Sequence, residues 1–137
     1  MNTKRFIFAG LAVFVAGFIM DWIIHMIILK GAYESLSSIW RAEEEMNSMM
    51  WIYYVGSLIF SFLFVYIFTK GYENKGIMEG VRYGLLIGLL MVLFGNLAQY
   101  SMYPLPFSLV WKWFVFGMIE FIIFGIITAA IYKPAEK

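Results

Sequence analysis

The stretch Gly76-Ile77-Met78-Glu79-Gly80-Val81-Arg82-Tyr83-Gly84-Leu85-Leu86-Ile87-Gly88 places a glycine at every fourth position as an apolar segment begins. Residues four apart lie on the same side of a helix, so these four glycines form one smooth stripe. A second helix can approach such a stripe closely, because no side chains separate the two backbones. The stretch therefore predicts a tightly packed helix of a membrane protein.

The composition of the whole chain agrees with this interpretation. Of its 137 residues, 63% are hydrophobic and only 14% are charged, and the mean hydropathy is +0.81. Soluble domains contain about 45 to 50% apolar and about 25% charged residues. The length suits one membrane domain, residues 1–137, without a separate soluble module. We therefore expect the lipid bilayer as a partner, and the net charge of +1 gives no reason to expect nucleic acid.

The sequence also limits the chemistry. It contains no cysteine, which excludes disulfides, thiolate metal sites, iron–sulfur clusters and a cysteine nucleophile. It contains no zinc signature, phosphate-binding loop or nucleophile triad. We therefore predict that the chain is not an enzyme and binds no cofactor. Haem is an alternative: His25 could be one axial ligand, with the same residue of a second copy or a methionine as the other. The scattered methionines are better explained by core packing.

Four segments are long enough to span a membrane, which takes about 20 mainly apolar residues. They cover residues 6–29, 49–69, 77–100 and 107–132. We predict an all-α integral membrane protein that forms a four-helix bundle. The basic start of the chain resembles that of a signal peptide, but the apolar run continues to Leu29 and carries Asp21 and His25. We therefore expect the first helix to be retained.

The basic residues predict the orientation, because cytoplasmic loops carry an excess of lysine and arginine. Seven fall on one side of the predicted bundle and three on the other. The seven are Lys4, Arg5, Lys70, Lys75, Arg82, Lys133 and Lys137, and the three are Lys30, Arg41 and Lys112. We predict that both termini are cytoplasmic and that residues 30–48 lie outside.

The outer connection, residues 30–48, is the one sizeable polar stretch. Ser38 is placed to cap a short helix with Glu43 near its positive end, and Tyr33 and Trp40 can anchor that helix at the membrane surface. We expect a short interfacial helix in which Trp40, Arg41 and Glu43 are available for contact. The connection is then either an acidic solvated loop, or a docking face or lid over an outward-facing pocket.

Polar residues also occur within three of the predicted helices, where lipid would make them costly. Asp21 and His25 share one face of the first helix with small residues, so that face is expected to point into the bundle. The predicted intramembrane polar site comprises Asp21, His25, Asn96, Gln99 and Glu120.

Two interpretations of this site remain open. Asp21 and His25, four residues apart, can hydrogen-bond to each other and set the packing register of the bundle. Alternatively, they form a proton-responsive or cation-binding site in which Glu120 supplies a second carboxylate, because histidine titrates near neutral pH. Whether a metal binds there is left open.

Further residues are predicted to hold the bundle together. Glu79 and Arg82, three apart, are expected to form an ion pair near the cytoplasmic surface. Gly117 and Gly125 are expected to add packing surface on the fourth helix. Lys112 is expected to anchor the outer end of that helix.

Several groups of residues, taken in chain order, form a recognisable pattern. They are Asp21 with His25, Trp40-Arg41, Glu79-Gly80-Val81-Arg82-Tyr83-Gly84, and Glu120 with Gly125. In this pattern the whole chain resembles the small, uncharacterised four-span inner-membrane proteins of bacteria. The resemblance implies a multi-pass protein of the bacterial inner membrane, and it implies no activity.

From these features we expect a protein that acts by association. The first expectation is an accessory or assembly subunit of a membrane complex, or a homo-oligomer. The alternative is a small transporter or channel for protons, cations or a small solute, with an outward-facing polar site. A haem-binding or other membrane redox protein is the third.

Overall fold

The computed structural model describes residues 2–134, which contain helices and no strand. Their helices are α1 (Thr3–Ile28), α2 (Lys30–Glu34), α3 (Glu43–Lys70), α4 (Ile77–Met102) and α5 (Phe107–Ile131). All but α2 are long and apolar enough to cross a membrane. This confirms the predicted all-helical chain with four helices of spanning length. Lys137 and the ends of the predicted domain, residues 1 and 135–137, lie outside the described residues.

Two of the helices begin earlier than predicted. The Asn2 side chain accepts a hydrogen bond from the Arg5 amide at 3.2 Å, so α1 is capped and begins at Thr3. Helix α3 begins at Glu43, and its first turn holds three glutamates, which stabilise the positive end of a helix.

The short helix predicted after Ser38 is therefore placed wrongly. Residues 35–39 form turns, and Glu43 belongs to the first turn of α3. Extending a long helix by a turn is easier than nucleating a separate one, which explains the outcome. The short helix in this connection is α2, which follows α1 almost directly.

The long helices form an antiparallel bundle. Helix α4 packs most closely against α5, while α3 and α5 both contact α1. The Arg5 side chain donates a hydrogen bond to the Ile131 carbonyl at 3.1 Å, which joins the start of α1 to the end of α5. We call this end of the bundle the terminal end. The opposite end, which carries residues 29–42 and 103–106, is called the loop end.

Glycines set the close contact between α4 and α5. A Cβ atom added at Gly80 would overlap the Gly125 carbonyl oxygen, and one at Gly84 would overlap the Phe121 carbonyl oxygen. A Cβ atom at Gly88 would come within 2.9 Å of the Phe121 Cβ. The stripe of α4 thus faces a helix of the same chain.

The prediction for Gly76 as a packing residue is wrong. Gly76 precedes α4 at a φ of 70°, a left-handed conformation that suits glycine. Within the described part of the chain nothing lies within 4 Å of a Cβ atom added there. Gly76 therefore shapes the turn into α4 and makes no helix contact.

Two π-helical segments widen the helices, at Trp22–Ile28 in α1 and at Leu89–Leu93 in α4. The second one shifts the outer part of α4 around its axis. Val92 lies against Gly117 of α5, with 2.9 Å between Val92 Cγ1 and a Cβ atom added at Gly117. Asn96 lines a cavity between α1, α4 and α5, whereas nothing lies within 4 Å of a Cβ atom added at Gly95 among residues 2–134.

The apolar core consists of clusters separated by a polar layer. Ala9, Val13, Phe64, Val65 and Phe124 fill the terminal half. Ile24, Leu29, Leu105, Leu109 and Val110 fill the loop end. Between the two clusters along α1 and α5 lie Asp21 and Glu120, the predicted site residues.

Candidate functional site

Asp21 lies at the point where α1 changes from α-helix to π-helix. The Tyr53 hydroxyl of α3 donates a hydrogen bond to Asp21 Oδ2. His25 Nε2 lies 3.7 Å from Asp21 Oδ1, too far for a direct hydrogen bond. The predicted Asp21–His25 hydrogen bond is therefore absent between these two described residues, because the π-helical turn re-aims His25 and Tyr53 takes the carboxylate.

His25 is held from the other side by aromatic residues. His25 Nδ1 lies 2.5 Å from the Tyr33 hydroxyl of α2, and Trp113 Nε1 of α5 donates to the same hydroxyl at 2.7 Å. The rings of His25 and Tyr33 stack with 5.8 Å between centroids. Helix α2 thus folds back over the end of α1 and brings Tyr33 to the site.

The donors in this chain of hydrogen bonds assign the histidine tautomer. An indole N–H can only donate, so the Tyr33 oxygen accepts from Trp113 and its own proton is free to point at His25 Nδ1. Burial raises the pKa of the Tyr33 hydroxyl, so Tyr33 keeps that proton through the physiological range. Nδ1 then accepts, and the N–H of a neutral His25 is on Nε2, the nitrogen that faces Asp21.

Glu120 of α5 completes the polar layer. It lines the same cavity as Asp21. Glu120 Oε1 is buried and has no hydrogen-bond partner among the described residues. Asp21, His25 and Glu120 therefore lie near one another, and their role as a common site stays a prediction.

Glu120 separates two cavities. The first, of about 260 Å³, lies between α1, α3 and α5, and its polar lining is Asp21, Tyr53, Ser57, Ser61 and Glu120. The second, of about 440 Å³, lies between α1, α4 and α5, and its polar lining is His25, Tyr33, Asn96, Gln99, Trp113 and Glu120. Both cavities thus reach the same carboxyl group from different sides.

The second cavity continues to the loop end. A further cavity of about 460 Å³ is lined by Lys30 and Glu34, and it shares His25, Tyr33, Gln99 and Trp113 with the second one. The two cavities therefore adjoin each other near the loop end. Toward the terminal end, the Phe64 cluster and the contact between Gly80 and Gly125 pack the helices together, and a separate cavity of about 420 Å³ lies at Phe68, Glu79 and Tyr83.

The outer-loop residues divide into two groups. Trp40 packs edge-on against Tyr33, with 5.7 Å between ring centroids, and lies 6.4 Å from Trp113. Arg41 forms an ion pair with Glu45, and Glu43 is exposed at the start of α3. Trp40 thus belongs to the wall of the site, whereas Arg41 and Glu43 lie on the surface.

The predicted ion pair of Glu79 and Arg82 is wrong for these two residues, both of which the structure describes. Glu79 is buried and accepts hydrogen bonds from the backbone amides of Glu73 at 2.6 Å and Lys75 at 2.8 Å. A glutamate at the third position of a helix often reaches back to amides before the helix. That signal was present in the sequence and would have favoured this role for Glu79.

Sequence reasoning missed Tyr53 and assigned Tyr33 only an interfacial role. Tyr53 bonds to Asp21 of another helix, and Tyr33 bonds to His25, which lies eight positions away in the sequence. The position of a tyrosine along one apolar helix carries no signal for such partners. The sequence around Lys112 and Trp113 indicated only an anchor at the membrane interface.

A metal or haem site has a limited structural basis. Among residues 2–134, no group of three or more histidine, aspartate or glutamate side chains is arranged to hold a metal ion. Haem ligation through His25 stays a prediction, and in this structure both ring nitrogens already have polar neighbours.

Comparison with known proteins adds no family to this picture. No protein-family model, no curated protein and no solved structure matches the chain. The geometry of the polar layer and its cavities is therefore the basis for a functional proposal.

Proposed function

We propose that this protein is a small membrane transporter in which the carboxyl groups of Asp21 and Glu120 bind a proton or a small solute in turn. One observation carries the proposal: Asp21 and Glu120 line one cavity together, and Glu120 also lines the cavity between α1, α4 and α5. Ionisable groups within spanning helices commonly mark ion or proton pathways. A purely structural carboxyl group would be expected to have all its buried oxygens paired.

The hydrogen-bonded side chains supply a route for the proton. His25 Nε2 faces Asp21, while His25 Nδ1 is bonded to Tyr33 near the loop end. A histidine can take up a proton on one ring nitrogen and release one from the other, which suits a shuttle between the loop end and the carboxyl pair. Tyr53 holds Asp21 in place from α3.

The shape of the bundle favours a carrier over a continuous channel. Adjoining cavities lie between the loop end and Glu120, whereas α4 and α5 are in close backbone contact at Gly80 and Gly125 in the terminal half. In carriers, access alternates between the two sides as one part of the bundle rocks against another. Release at the terminal end would require α4 and α5 to separate along their glycines.

The proposed surroundings are the inner membrane of a bacterium, with the loop end outside and both termini in the cytoplasm. Large apolar side chains on the outer surface support lipid contact, for example Phe94 at 76% and Leu86 at 68% exposure. The basic residues near the terminal end support the orientation. Helix α2 would then lie at the outer interface.

Proton flux into liposomes tests the proposal. The purified protein is reconstituted with a pH-sensitive dye inside the vesicles, and a potassium gradient with valinomycin drives the flux. We expect Asp21→Asn and Glu120→Gln to reduce the flux to that of empty vesicles. The matched control is Glu43→Gln, which removes an exposed carboxylate and should leave the flux unchanged. Wild-type rates in both site variants would overturn the proposal.

Association with other chains is the second candidate, supported by a different surface. Since the stripe of α4 is occupied by α5, the helix surfaces free for another chain are elsewhere. Among residues 2–134, nothing lies within 4 Å of a Cβ atom added at Gly56 or Gly95. Native mass spectrometry in mild detergent tests this candidate. A homo-oligomer or a complex with other subunits supports it, and a bare monomer contradicts it.

A further inference from the structure

The cavity between α1, α4 and α5 is far larger than a proton pathway needs. Its volume of about 440 Å³ lies within the range of about 300 to 1,000 Å³ that is usual for small-molecule sites. It adjoins the cavity at Lys30 and Glu34 near the loop end. The cavity therefore has room for a small organic solute beside Glu120.

Aromatic rings form much of the wall of this cavity. They belong to Tyr33, Trp113, Phe116 and Phe121. Hydrogen bonds hold the first two in place, since Trp113 donates to the Tyr33 hydroxyl at 2.7 Å. The face of an aromatic ring attracts a cation through its quadrupole, most strongly where water is excluded. Such a wall is suited to an organic cation.

The polar groups in the cavity also favour an organic cation. Glu120 Oε1 is a buried acceptor and Asn96 Nδ2 a buried donor, and neither has a partner among the described residues. No lysine or arginine lines this cavity in the described part of the chain. Lys30 lies only in the neighbouring cavity, 3.8 Å from Glu34. A cationic ligand would pair with the unpaired carboxyl oxygen of Glu120. A hydroxyl or carbonyl oxygen of the same ligand would accept a hydrogen bond from the Asn96 amide.

We infer that this cavity binds a small organic ammonium ion that carries a hydroxyl or ester oxygen, with Glu120 as its counter-ion. The inference rests on the proposed function and names the solute class of that transporter. The ammonium group would lie among the rings next to Glu120, and the oxygen would face Asn96. Free amino alcohols and the choline headgroup of a lipid share this chemistry.

Calorimetric titration of the full chain in lipid nanodiscs tests the inference. The probe is choline, and its comparison is 3,3-dimethylbutanol, which has nearly the same shape without the charge. In phosphatidylglycerol nanodiscs we expect choline to bind at least about tenfold more tightly than the neutral alcohol. Equal affinities, or no choline binding, would overturn the inference.

Variants locate the binding. Glu120→Gln and Phe116→Leu should each weaken choline binding, by about tenfold for the loss of the counter-ion, while Glu43→Gln should leave it unchanged. Phe116→Leu keeps an apolar side chain of similar volume, so it provides a readout if Glu120→Gln fails to fold. Unchanged choline affinity in folded Phe116→Leu and Glu120→Gln would place the binding elsewhere and overturn the inference.

The source of the ligand follows from a second lipid. If a lipid headgroup is the natural ligand, phosphatidylcholine nanodiscs should suppress the binding of free choline. If a free solute is the ligand, the affinity should be the same in both kinds of nanodisc. The two proposals fail separately: proton flux without choline binding overturns this inference alone, and choline binding without flux overturns the proposed transport alone.

Discussion

The Tyr53 hydroxyl of α3 donates a hydrogen bond to the Asp21 carboxylate of α1, across 32 positions of sequence. This bond joins two helices at the level of the polar layer. It also fixes the direction of a carboxylate that lies next to Glu120. The bond thus links the stability of the bundle to the geometry of the proposed site.

Replacement of Tyr53 by phenylalanine tests this link. We expect Tyr53→Phe to lower the free energy of unfolding by about 1 kcal/mol, because Asp21 loses its donor. Thermal unfolding in detergent, followed by circular dichroism, measures the effect. The matched control is Tyr54→Phe, since Tyr54 is exposed at the next position. Equal melting temperatures for the two variants would contradict the role of Tyr53.

The contact between α4 and α5 predicts a steric effect at Gly84. An added methyl group would overlap the Phe121 carbonyl oxygen and approach Ile122 Cα to 2.9 Å. Because backbone cannot yield easily there, we expect Gly84→Ala to destabilise the protein by about 1 to 3 kcal/mol. In contrast, Gly56→Ala should be neutral or stabilise α3 by up to about 1 kcal/mol, because alanine is the better helix former. Thermal unfolding of the two variants gives the comparison, and a neutral Gly84→Ala would contradict the close contact.

Glu79 is expected to order the loop before α4. Glu79→Ala removes the acceptor for the amides of Glu73 and Lys75, so both amides should exchange hydrogen faster. Hydrogen–deuterium exchange measured by mass spectrometry on residues 71–76 detects this change. Arg82→Ala is the control and should leave the exchange unchanged. Equally faster hydrogen exchange in both variants would instead support the ion pair of Glu79 and Arg82 that the sequence suggested.

The raised pKa of Tyr33 predicts a pH effect at the alkaline end. Its protonated hydroxyl stabilises the fold fully below the ordinary tyrosine pKa of 10.0. Because the pKa is raised in the folded protein, this contribution is lost as the pH rises above that value. We therefore expect the difference in melting temperature between wild type and Tyr33→Phe to be largest near pH 8 and to shrink above pH 10. A difference that stays constant would show that Tyr33 titrates normally.

Some features of the site were predictable because they depend on one helix at a time. The apolar runs marked the four long helices, and the cost of charge in lipid predicted that Asp21, His25 and Glu120 face the bundle. The glycine spacing marked the side of α4 that meets α5. In each case a single periodicity along the chain carries the signal.

Other features depend on how one helix is rotated against another, which no single periodicity contains. Tyr53 as the partner of Asp21, and Trp113 as the donor to Tyr33, follow only from the packed bundle. The π-helical segment at Leu89–Leu93, which lies just before the cavity residue Asn96, also has no signal in the regular spacing of the chain. Glu79 was paired with Arg82 because the two lie close on a helix, yet the loop amides compete for its carboxylate.

The sequence by itself determined the four long helices and the set of ionisable residues within them. The physical reason is that a helix satisfies its own backbone hydrogen bonds, so a long apolar segment specifies its structure locally. Only the tertiary structure decided which polar groups meet, which remain unpaired and where the cavities open. Those outcomes depend on side chains from different helices, whose approach is set by packing across the whole bundle.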